Sequence, residues 1–306
     1  MFKEKFKEGI ISGKEFDRED VEFILDKGEE MTKVPTSDIL NKKILATLFF
    51  EPSTRTRLSF ESAMYRLGGN VIGFSSGKVS SIKKGESIAD TIRTVENYCD
   101  CIVIRHPLEG AAELASRFAN IPVVNAGSGS GEHPTQALLD LLTMKIECGR
   151  LDGLNIGIMG DLKYGRTVHS LSYLLANFDV NIYFISPKEL SIRKREKEYL
   201  IHGKNLNFKE ITNYRNILDT LDVLYMTRIQ KERFADMEEY EKVKNVYVFK
   251  KEDLKQTKDE FKLMHPLPRI TEITPSVDDS EKAIYFKQTS YGLHLRKALL
   301  AELLKD

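Results

Sequence analysis

The chain has 306 residues, enough for two α/β domains that each bury a hydrophobic core. Lysine plus arginine and aspartate plus glutamate both number 46, so the net charge is zero and neither nucleic acid nor an anionic membrane is favoured as a partner. The first residues lack a signal-peptide pattern, no apolar run has membrane-spanning length, and the three cysteines fit neither a disulfide framework nor a zinc site. We therefore expect a cytoplasmic protein with reduced thiols and no bound metal.

Short apolar runs alternate with segments of helical periodicity along the chain. An amphipathic helix is predicted from Phe16 to about Met31. Four strands are then predicted at Ile44–Phe50, Val71–Phe74, Cys101–Ile104 and Pro122–Val124. After a long helix that begins at Pro134, four more are predicted at Ile156–Met159, Val180–Ile185, Val223–Met226 and Phe261–Met264. A last helix is predicted from about Leu293 to Leu304.

This alternation is typical of βαβ units and predicts an α/β fold with two doubly wound parallel-sheet domains joined by interdomain helices. The first domain is predicted over residues 1–134 and the second over residues 135–289. The last helix, within residues 290–306, is predicted to pack back on the first domain. Because such sheets bind ligands at the carboxyl ends of their strands, we expect the active site in the cleft between the domains.

A cluster of hydrogen-bonding side chains follows the first of these strands. Residues 51–57 read Glu-Pro-Ser-Thr-Arg-Thr-Arg. Apolar residues then recur at helical spacing at Leu58, Phe60, Ala63, Met64 and Leu67. Ser53 is a good N-cap, so the next three backbone N–H groups lack helical partners. An ordinary capped helix with surface arginines is the alternative, but the number of donors favours a phosphate dianion.

Other strand ends and helix starts carry similar groups. They are Arg105, His133, Gln136, Arg166, Arg228 and Gln230. Prolines stiffen the turn His265-Pro266-Leu267-Pro268, so the Leu267 carbonyl should have a fixed direction. Each group alone is more often a cap or a surface charge. Together they predict a site for several anionic groups.

Several other kinds of chemistry lack support. The glycines at 157, 160 and 165 do not form a dinucleotide fingerprint, and no acidic residue follows the next strand, so NAD is disfavoured. Motifs for metal hydrolysis, serine hydrolysis and nucleotide kinases are missing from the sequence. We therefore expect transfer from an anionic, activated donor, by positioning and oxyanion stabilisation and without a cofactor.

A serine-rich, glycine-flanked stretch at residues 75–86 predicts a long mobile loop. A solvated charge run is its simplest interpretation. Loops of this length are often lids, and Lys83 or Lys84 would then add positive charge to a closing site.

Together, these motifs resemble the transcarbamoylase family, and within it the branch that uses aspartate. The resemblance runs in the family's order through residues 50–57, 83–86, 105–107, 133–136, 160–170, 226–233 and 265–269. Ser-Thr-Arg-Thr and His-Pro-x-Gln mark any transcarbamoylase, whereas Lys-Tyr-Gly-Arg-Thr, Thr-Arg-x-Gln and His-Pro-Leu-Pro mark the aspartate branch. The implied reaction is carbamoyl phosphate plus L-aspartate giving N-carbamoyl-L-aspartate and phosphate, an early step of pyrimidine biosynthesis.

The resemblance also implies roles for single residues. The phosphate would be held by Ser53, Thr54, Arg55 and Thr56. The oxyanion would be stabilised by Thr56, Arg105 and His133, with Arg105 bridging phosphate and carbonyl oxygen and His133 a neutral donor rather than a base. The carbamoyl NH₂ would be fixed by Gln136 and the Leu267 carbonyl in the turn with Pro268. The two aspartate carboxylates would be held by Arg166 and Arg228, assisted by Gln230.

The family further implies a homotrimer in which Ser80 and Lys84 reach into the neighbouring subunit's site. Glu51 would pair with Arg166 and Arg233 in a closed state. A separate regulatory chain is a further candidate partner. Ile82 departs from the smaller residue that relatives often have in the lid.

Two other functions stay open at this point. A transcarbamoylase for ornithine would place a cationic acceptor against two arginines, which is unfavourable. A non-catalytic anion-binding subunit should have lost an oxyanion group, yet Thr56, Arg105 and His133 are all present.

Overall fold

A computed structural model of the protein describes residues 2–76, 85–204, 206–234 and 236–305. The chain divides into two compact units, one up to Leu142 together with the residues from Thr289 onward, the other Thr143–Gln288. The two units meet after Leu142 and after Gln288, and both points fall inside helices, Pro134–Cys148 and Tyr285–Leu304. The predicted domain limit at 134 is the first residue of the first helix, and the predicted limit at 289 lies next to the second dividing point. Over the described ranges, no helix is long and apolar enough to cross a membrane.

The first unit is built around a parallel sheet. The strands are β1 (Gly9–Ile10), β2 (Ile44–Phe49), β3 (Asn70–Phe74), β4 (Cys101–His106) and β5 (Val123–Ser128). The helices are α1 (Phe2–Lys5), α2 (Arg18–Glu30), α3 (Thr54–Arg66), α4 (Ile88–Val95), α5 (Ala111–Phe118) and the first part of α6 (Pro134–Cys148). In the described part of this unit the strand order is β1-β5-β4-β2-β3. The carboxyl ends of β5, β4 and β2 are therefore neighbours.

The second unit contains another parallel sheet. Its strands are β6 (Asn155–Met159), β7 (Asn181–Ile185), β8 (Phe208–Ile211), β9 (Val223–Met226) and β10 (Lys262–Met264). Beyond the end of α6, its helices are α7 (Arg166–Leu175), α8 (Lys194–Glu198), α9 (Met237–Val243) and the start of α10 (Tyr285–Leu304), which continues into the first unit. The described strands follow the order β10-β9-β6-β7-β8. Here the carboxyl ends of β10, β9 and β6 are adjacent.

Each sheet has its own apolar core. In the first unit, buried side chains of β2, β4 and β5 pack with those of α4 and α5. In the second, buried side chains of β6, β9 and β10 pack with aromatic residues such as Tyr214 and Phe249. Burial on this scale explains why the central strands read as near-continuous apolar runs. It also leaves their polar ends as the natural place for a binding site.

The structure confirms the predicted fold class of two parallel-sheet α/β domains and the eight predicted strands, with ends shifted by a few residues. The sequence analysis missed β1 and β8. β1 has two residues, and β8 is an edge strand whose Lys209 and Glu210 are exposed, so neither shows an apolar run. The helix predicted from Phe16 begins at Arg18, because Asp17 and Asp20 form a capping box.

Two further expectations were wrong in detail. Helix α10 begins at Tyr285 rather than near Leu293; Tyr285 is fully buried and anchors its first turn. Leu58 was grouped with the apolar residues that recur at helical spacing, but it is 51 % exposed and does not share their buried face. It lies two residues before the buried Phe60, which corresponds to about 200° around a helix.

Candidate active site

In the first unit, candidate site residues lie where β2 leads into α3. Ser53 occupies the N-cap position with an extended backbone, as predicted, but its hydroxyl makes no capping hydrogen bond. Thr54 and Arg55 are exposed, whereas Thr56 is buried. The first-turn N–H groups of α3 have no intrahelical acceptor. This helix start therefore offers backbone donors, hydroxyls and a guanidinium to an anion.

Thr56 and His133 are brought together although they are far apart in sequence. The Thr56 hydroxyl lies 3.5 Å from Nε2 of His133, and both side chains are buried. Nδ1 of the same ring lies 3.5 Å from the hydroxyl of Thr135. His133 comes directly before α6, and its backbone oxygen accepts hydrogen bonds from the first turn of that helix. The imidazole is thus held between two hydroxyls near the end of β5.

Arg105 ends up on the same edge of the first sheet. It pairs in register with Phe49 on the neighbouring strand, and its backbone oxygen accepts a hydrogen bond from Phe50. Its Nε lies 2.8 Å from Oε1 of Glu51, and both side chains are largely buried. Because Glu51 follows β2, this ion pair joins the ends of two adjacent strands. The predicted pairing of Glu51 with Arg166 and Arg233 stays a prediction.

Gln136 lies in the first turn of α6, with its side chain nearly buried. Its Nε2 donates to Oδ1 of Asp140, one turn further along, at 2.9 Å. Asp140 is fully buried, and its carboxylate interacts with the guanidinium of the equally buried Arg296. The hydrogen bond from Gln136 to Asp140 fixes which end of the Gln136 amide is the nitrogen. The Gln136 oxygen is the end available as an acceptor for an N–H donor.

In the second unit, candidate site residues lie beyond the end of β6. Gly160 has φ +123°, and a Cβ there would lie 2.2 Å from the backbone oxygen of Thr227, so only glycine lets β6 and β9 approach here. The next residue, Asp161, is fully buried; it accepts hydrogen bonds from the amides of Tyr164 at 2.9 Å and Gln230 at 3.5 Å. Burial raises the pKa of Asp161 to about 6. Asp161 thus ties together the loops that follow β6 and β9.

Three predicted site residues, Arg166, Arg228 and Gln230, lie on the segments that follow β6 and β9. Arg166 is the first residue of α7, and its side chain is partly buried. Gln230 donates from Nε2 to the backbone oxygen of Tyr164 at 3.3 Å, so it bridges the two loops. Arg228 forms an ion pair with Glu232, with Nη1 3.1 Å from Oε2. Burial acts to lower the pKa of Arg228, but the hydrogen bonding to Glu232 and the negative charges of Glu232, Glu272 and Asp161 together outweigh it, and the pKa is raised.

The turn with Leu267 and Pro268 follows β10, next to β9. Leu267 has φ +52°, a left-handed conformation that is unusual for this residue type, and its bond to Pro268 is cis. The Leu267 amide donates to Nδ1 of His265 at 2.8 Å. The turn therefore has a fixed conformation, and it lies at the edge of the sheet that also carries Arg166 and Arg228.

Two predicted site residues, Ser80 and Lys84, lie outside the described residues, as does Ile82. Sequence reasoning did not identify Asp140, Asp161 or Glu232. Asp140 and Glu232 each lie four residues after their partner, a spacing that could have suggested the contact. Asp161 follows a strand directly, but its burial could not be predicted from that position.

Comparison with known proteins places this geometry in a family. Residues 9–146 match the model described as "Aspartate/ornithine carbamoyltransferase, carbamoyl-P binding domain", and residues 152–303 match "Aspartate/ornithine carbamoyltransferase, Asp/Orn binding domain". A Thermococcus kodakarensis protein named aspartate carbamoyltransferase catalytic subunit is 56 % identical over 295 residues, covering 95 % of each chain.

Solved structures agree with these matches. The catalytic subunit of M. jannaschii aspartate transcarbamoylase has a TM-score of 0.88 and 52 % identity, covering 98 % of both chains. Aspartate transcarbamoylase from Trypanosoma cruzi in complex with carbamoyl phosphate and aspartate has a TM-score of 0.92 and 38 % identity, covering 99 % of this chain and 97 % of that one. The chain belongs to the aspartate/ornithine carbamoyltransferase family.

Proposed function

We propose that this protein transfers the carbamoyl group of carbamoyl phosphate to the amino group of L-aspartate. The products are N-carbamoyl-L-aspartate and inorganic phosphate, an early step of pyrimidine biosynthesis. The observation that carries the proposal is the contact between Thr56 and His133 beside the start of α3, with Arg105 at the carboxyl end of β4 in the same sheet. The relatives that bind carbamoyl phosphate and aspartate support the same reaction.

The first unit supplies the groups that suit carbamoyl phosphate. In the proposal, Ser53, Thr54, Arg55 and Thr56 hold the phosphate, because the helix start offers N–H donors and positive charge. The Ser53 hydroxyl makes no capping hydrogen bond, which supports its use as a ligand group. Arg105 spans phosphate and carbonyl oxygen.

The carbamoyl group itself needs donors at its oxygen and acceptors at its NH₂. Thr56, Arg105 and His133 are the proposed donors to the oxygen. The Gln136 oxygen is a suitable acceptor, because Asp140 engages the nitrogen of the same amide. The Leu267 carbonyl is proposed as the second acceptor, in a turn shared with Pro268.

The second unit supplies the groups that suit aspartate. Arg166 and Arg228 are proposed to bind its two carboxylates, with Gln230 assisting. Asp161 supports this role indirectly, since it holds the loops that carry these side chains. Glu232 currently pairs with Arg228, so a substrate carboxylate would exchange with it. Two cations for one dicarboxylate also disfavour the cationic acceptor ornithine.

The proposed chemistry is direct displacement at the carbamoyl carbon. The aspartate amine forms a bond to that carbon, and the carbonyl oxygen gains negative charge that Thr56, Arg105 and His133 stabilise. The bond from carbon to the bridging oxygen then breaks, and phosphate leaves with the electron pair. The departing phosphate accepts the proton that the amine loses, so no side-chain base is required. Alignment of the two substrates supplies much of the rate.

The test is phosphate release from carbamoyl phosphate by the purified chain, with L-aspartate and L-ornithine offered separately. We expect turnover with aspartate and none with ornithine. The matched variants are Arg55→Ala, which should abolish turnover, and Arg57→Ala, whose side chain pairs with Glu61 on the same helix and should matter little. Turnover with ornithine alone would overturn the role of Arg166 and Arg228. No phosphate release with either acceptor would favour a non-catalytic anion-binding subunit.

We also propose a homotrimer whose sites are shared through Ser80 and Lys84. Mixing inactive Lys84→Ala and Arg55→Ala chains should restore part of the activity, because one site in a mixed trimer would then be complete. No recovery in demonstrably mixed trimers would contradict shared sites. The name "catalytic subunit" of the relatives supports a separate regulatory chain as a partner, and the three free thiols fit the cytoplasm as the location.

A further inference from the structure

His265 is buried below the Leu267 turn and is fixed from three directions. Its backbone N–H donates to Oε1 of Gln288 at 3.0 Å. Its Nδ1 accepts from the Leu267 amide at 2.8 Å, and its Nε2 lies 2.8 Å from Oε1 of Glu272. The His265 side chain is 1 % exposed and that of Glu272 9 %. Neither residue was identified in the sequence analysis as part of the site.

These contacts determine the tautomer of the ring. A backbone N–H can only donate, so Nδ1 must be the unprotonated nitrogen that accepts from Leu267. The proton of the neutral ring is then on Nε2, which donates to Glu272. A proton on Nδ1 would face the Leu267 N–H and break this contact.

Glu272 is itself held in place. Its second oxygen, Oε2, accepts from the amides of Ile270 at 3.1 Å and Thr271 at 3.0 Å. Its backbone oxygen accepts from the amide of Phe249 at 2.7 Å. The carboxylate therefore receives donors on both oxygens, and it is the fixed point from which the tautomer of His265 is set.

The charges around the ring favour the same state. Burial lowers the pKa of His265, and the positive charges of Arg269 and Arg228 lower it further, whereas Glu272 acts to raise it. The net pKa is lowered, so the imidazole stays neutral at physiological pH. Nδ1 thus remains an acceptor.

We propose that His265 and Glu272 are positioning residues for the transfer reaction: Glu272 selects the tautomer of His265, and His265 holds the Leu267 amide so that the Leu267 carbonyl faces the carbamoyl NH₂. The inference rests on the proposed function, in which that carbonyl is one of the two acceptors. With the amide fixed and φ at +52°, the direction of the carbonyl depends on one remaining backbone angle. The left-handed conformation of Leu267 needs such support, since it is unfavourable for a residue with a Cβ.

Two substitutions separate the two nitrogens of the ring. In His265→Asn, the side-chain oxygen can take the position of Nδ1 and still accept from Leu267, but nothing reaches Glu272. In His265→Gln, the amide nitrogen can take the position of Nε2 and donate to Glu272, but the acceptor for Leu267 is lost. The two variants are of similar polarity, so each serves as the control for the other.

The experiment measures kcat, the aspartate KM and the melting temperature of the full chain for both variants. We expect kcat to fall about tenfold in His265→Gln, as for the loss of one hydrogen bond in the transition state, and at most about threefold in His265→Asn. The aspartate KM should stay within about twofold, because the arginines are not altered. Equal kcat values in two folded variants would overturn the positioning role.

A third variant keeps the test decisive if either histidine substitution prevents folding. In Glu272→Gln the amide oxygen can still accept from the backbone, but the amide nitrogen faces Nε2 of His265. The ring proton must then move to Nδ1, against the Leu267 N–H, and we expect kcat to fall as in His265→Gln. An unchanged kcat in Glu272→Gln would overturn the inference alone. A wild-type chain without turnover on aspartate would instead overturn the proposed function, and the inference with it.

Discussion

The most direct test of the oxyanion assignment is Thr56→Val, which removes a hydroxyl and keeps the shape of the side chain. Thr56 is 6 % exposed, and its contact with His133 is 3.5 Å long, at the limit of a hydrogen bond. Its loss should therefore cost at most about 1 kcal/mol of folding free energy. A donor aimed at developing negative charge contributes more, about 2.7–4 kcal/mol of the activation barrier. We expect kcat to fall about 100- to 1,000-fold in a protein of nearly normal stability.

The assay is phosphate release at saturating aspartate, with the binding of carbamoyl phosphate measured separately by calorimetry. The matched control is Thr47→Val, another buried threonine of the first unit, whose hydroxyl donates to Glu61 at 3.1 Å. That substitution should leave kcat within about twofold of the wild type, because Thr47 is not one of the proposed ligand groups.

Two results would refute the reasoning for Thr56. A fall in kcat of less than about fivefold would mean that its hydroxyl does not face the developing charge. A loss of carbamoyl phosphate affinity at unchanged kcat would mean that the hydroxyl serves the ground state, as a phosphate ligand only.

Three other predictions concern the second unit. Glu232→Gln should lower the aspartate KM about 1.4- to fivefold at unchanged kcat, because a partly exposed ion pair with Arg228 is worth about 0.2–1 kcal/mol; an unchanged KM would mean that the pair does not compete with substrate. Gly160→Ala should lower the melting temperature and raise the aspartate KM, since its Cβ would collide with the backbone of Thr227; a normal melting curve would contradict this. In the folded protein the pKa of Asp161 is raised from 3.8 to about 6, so between these values the folded state binds a proton that the unfolded chain has lost. This proton binding stabilises the folded state by about 3 kcal/mol at low pH, and the stabilisation is lost as pH rises from 4 to above 6. Denaturation of Asp161→Asn at pH 4.5 and 7.5 should show a smaller change of stability than the wild type, and an equal change would exclude Asp161 as its source.

Much of the fold could be predicted because buried parallel strands read as apolar runs that end in polar residues. Arg105 lies at the carboxyl end of β4 in the first sheet, and Arg228 lies two residues after β9 in the second; parallel pairing places each beside the ends of its own neighbouring strands. β8 could not be found in this way, since an edge strand buries little of its surface and its sequence, Phe-Lys-Glu-Ile, shows no apolar run. The N-cap position of Ser53 was predicted, but the fact that its hydroxyl does not cap the helix was not.

The partners of the polar side chains were much harder to predict. The pairing of Glu51 with Arg105 depends on the register of β2 against β4, which sequence spacing does not reveal. The hydrogen bond from Gln136 to Asp140 lies within one helix, yet its consequence for the orientation of the amide needs the rotamers. His265 reads as one member of a proline-rich turn; its tautomer follows only from the donor that faces it.

Two proposed anion-binding arginines, Arg105 and Arg228, share one arrangement within their own units: each is paired with a glutamate of a neighbouring loop or turn. A guanidinium that is already paired has exchanged part of its hydration for protein contacts, so a substrate anion that replaces the glutamate does not bear the full cost of desolvation. For Arg228 the ion pair that the substrate must replace is partly exposed and therefore weak. Before substrate binds, each glutamate also neutralises its arginine, which limits repulsion among the several cations of the site. Replacement of either glutamate by glutamine should therefore strengthen anion binding and make it more sensitive to salt, since the uncompensated positive charge would then act over a Debye length.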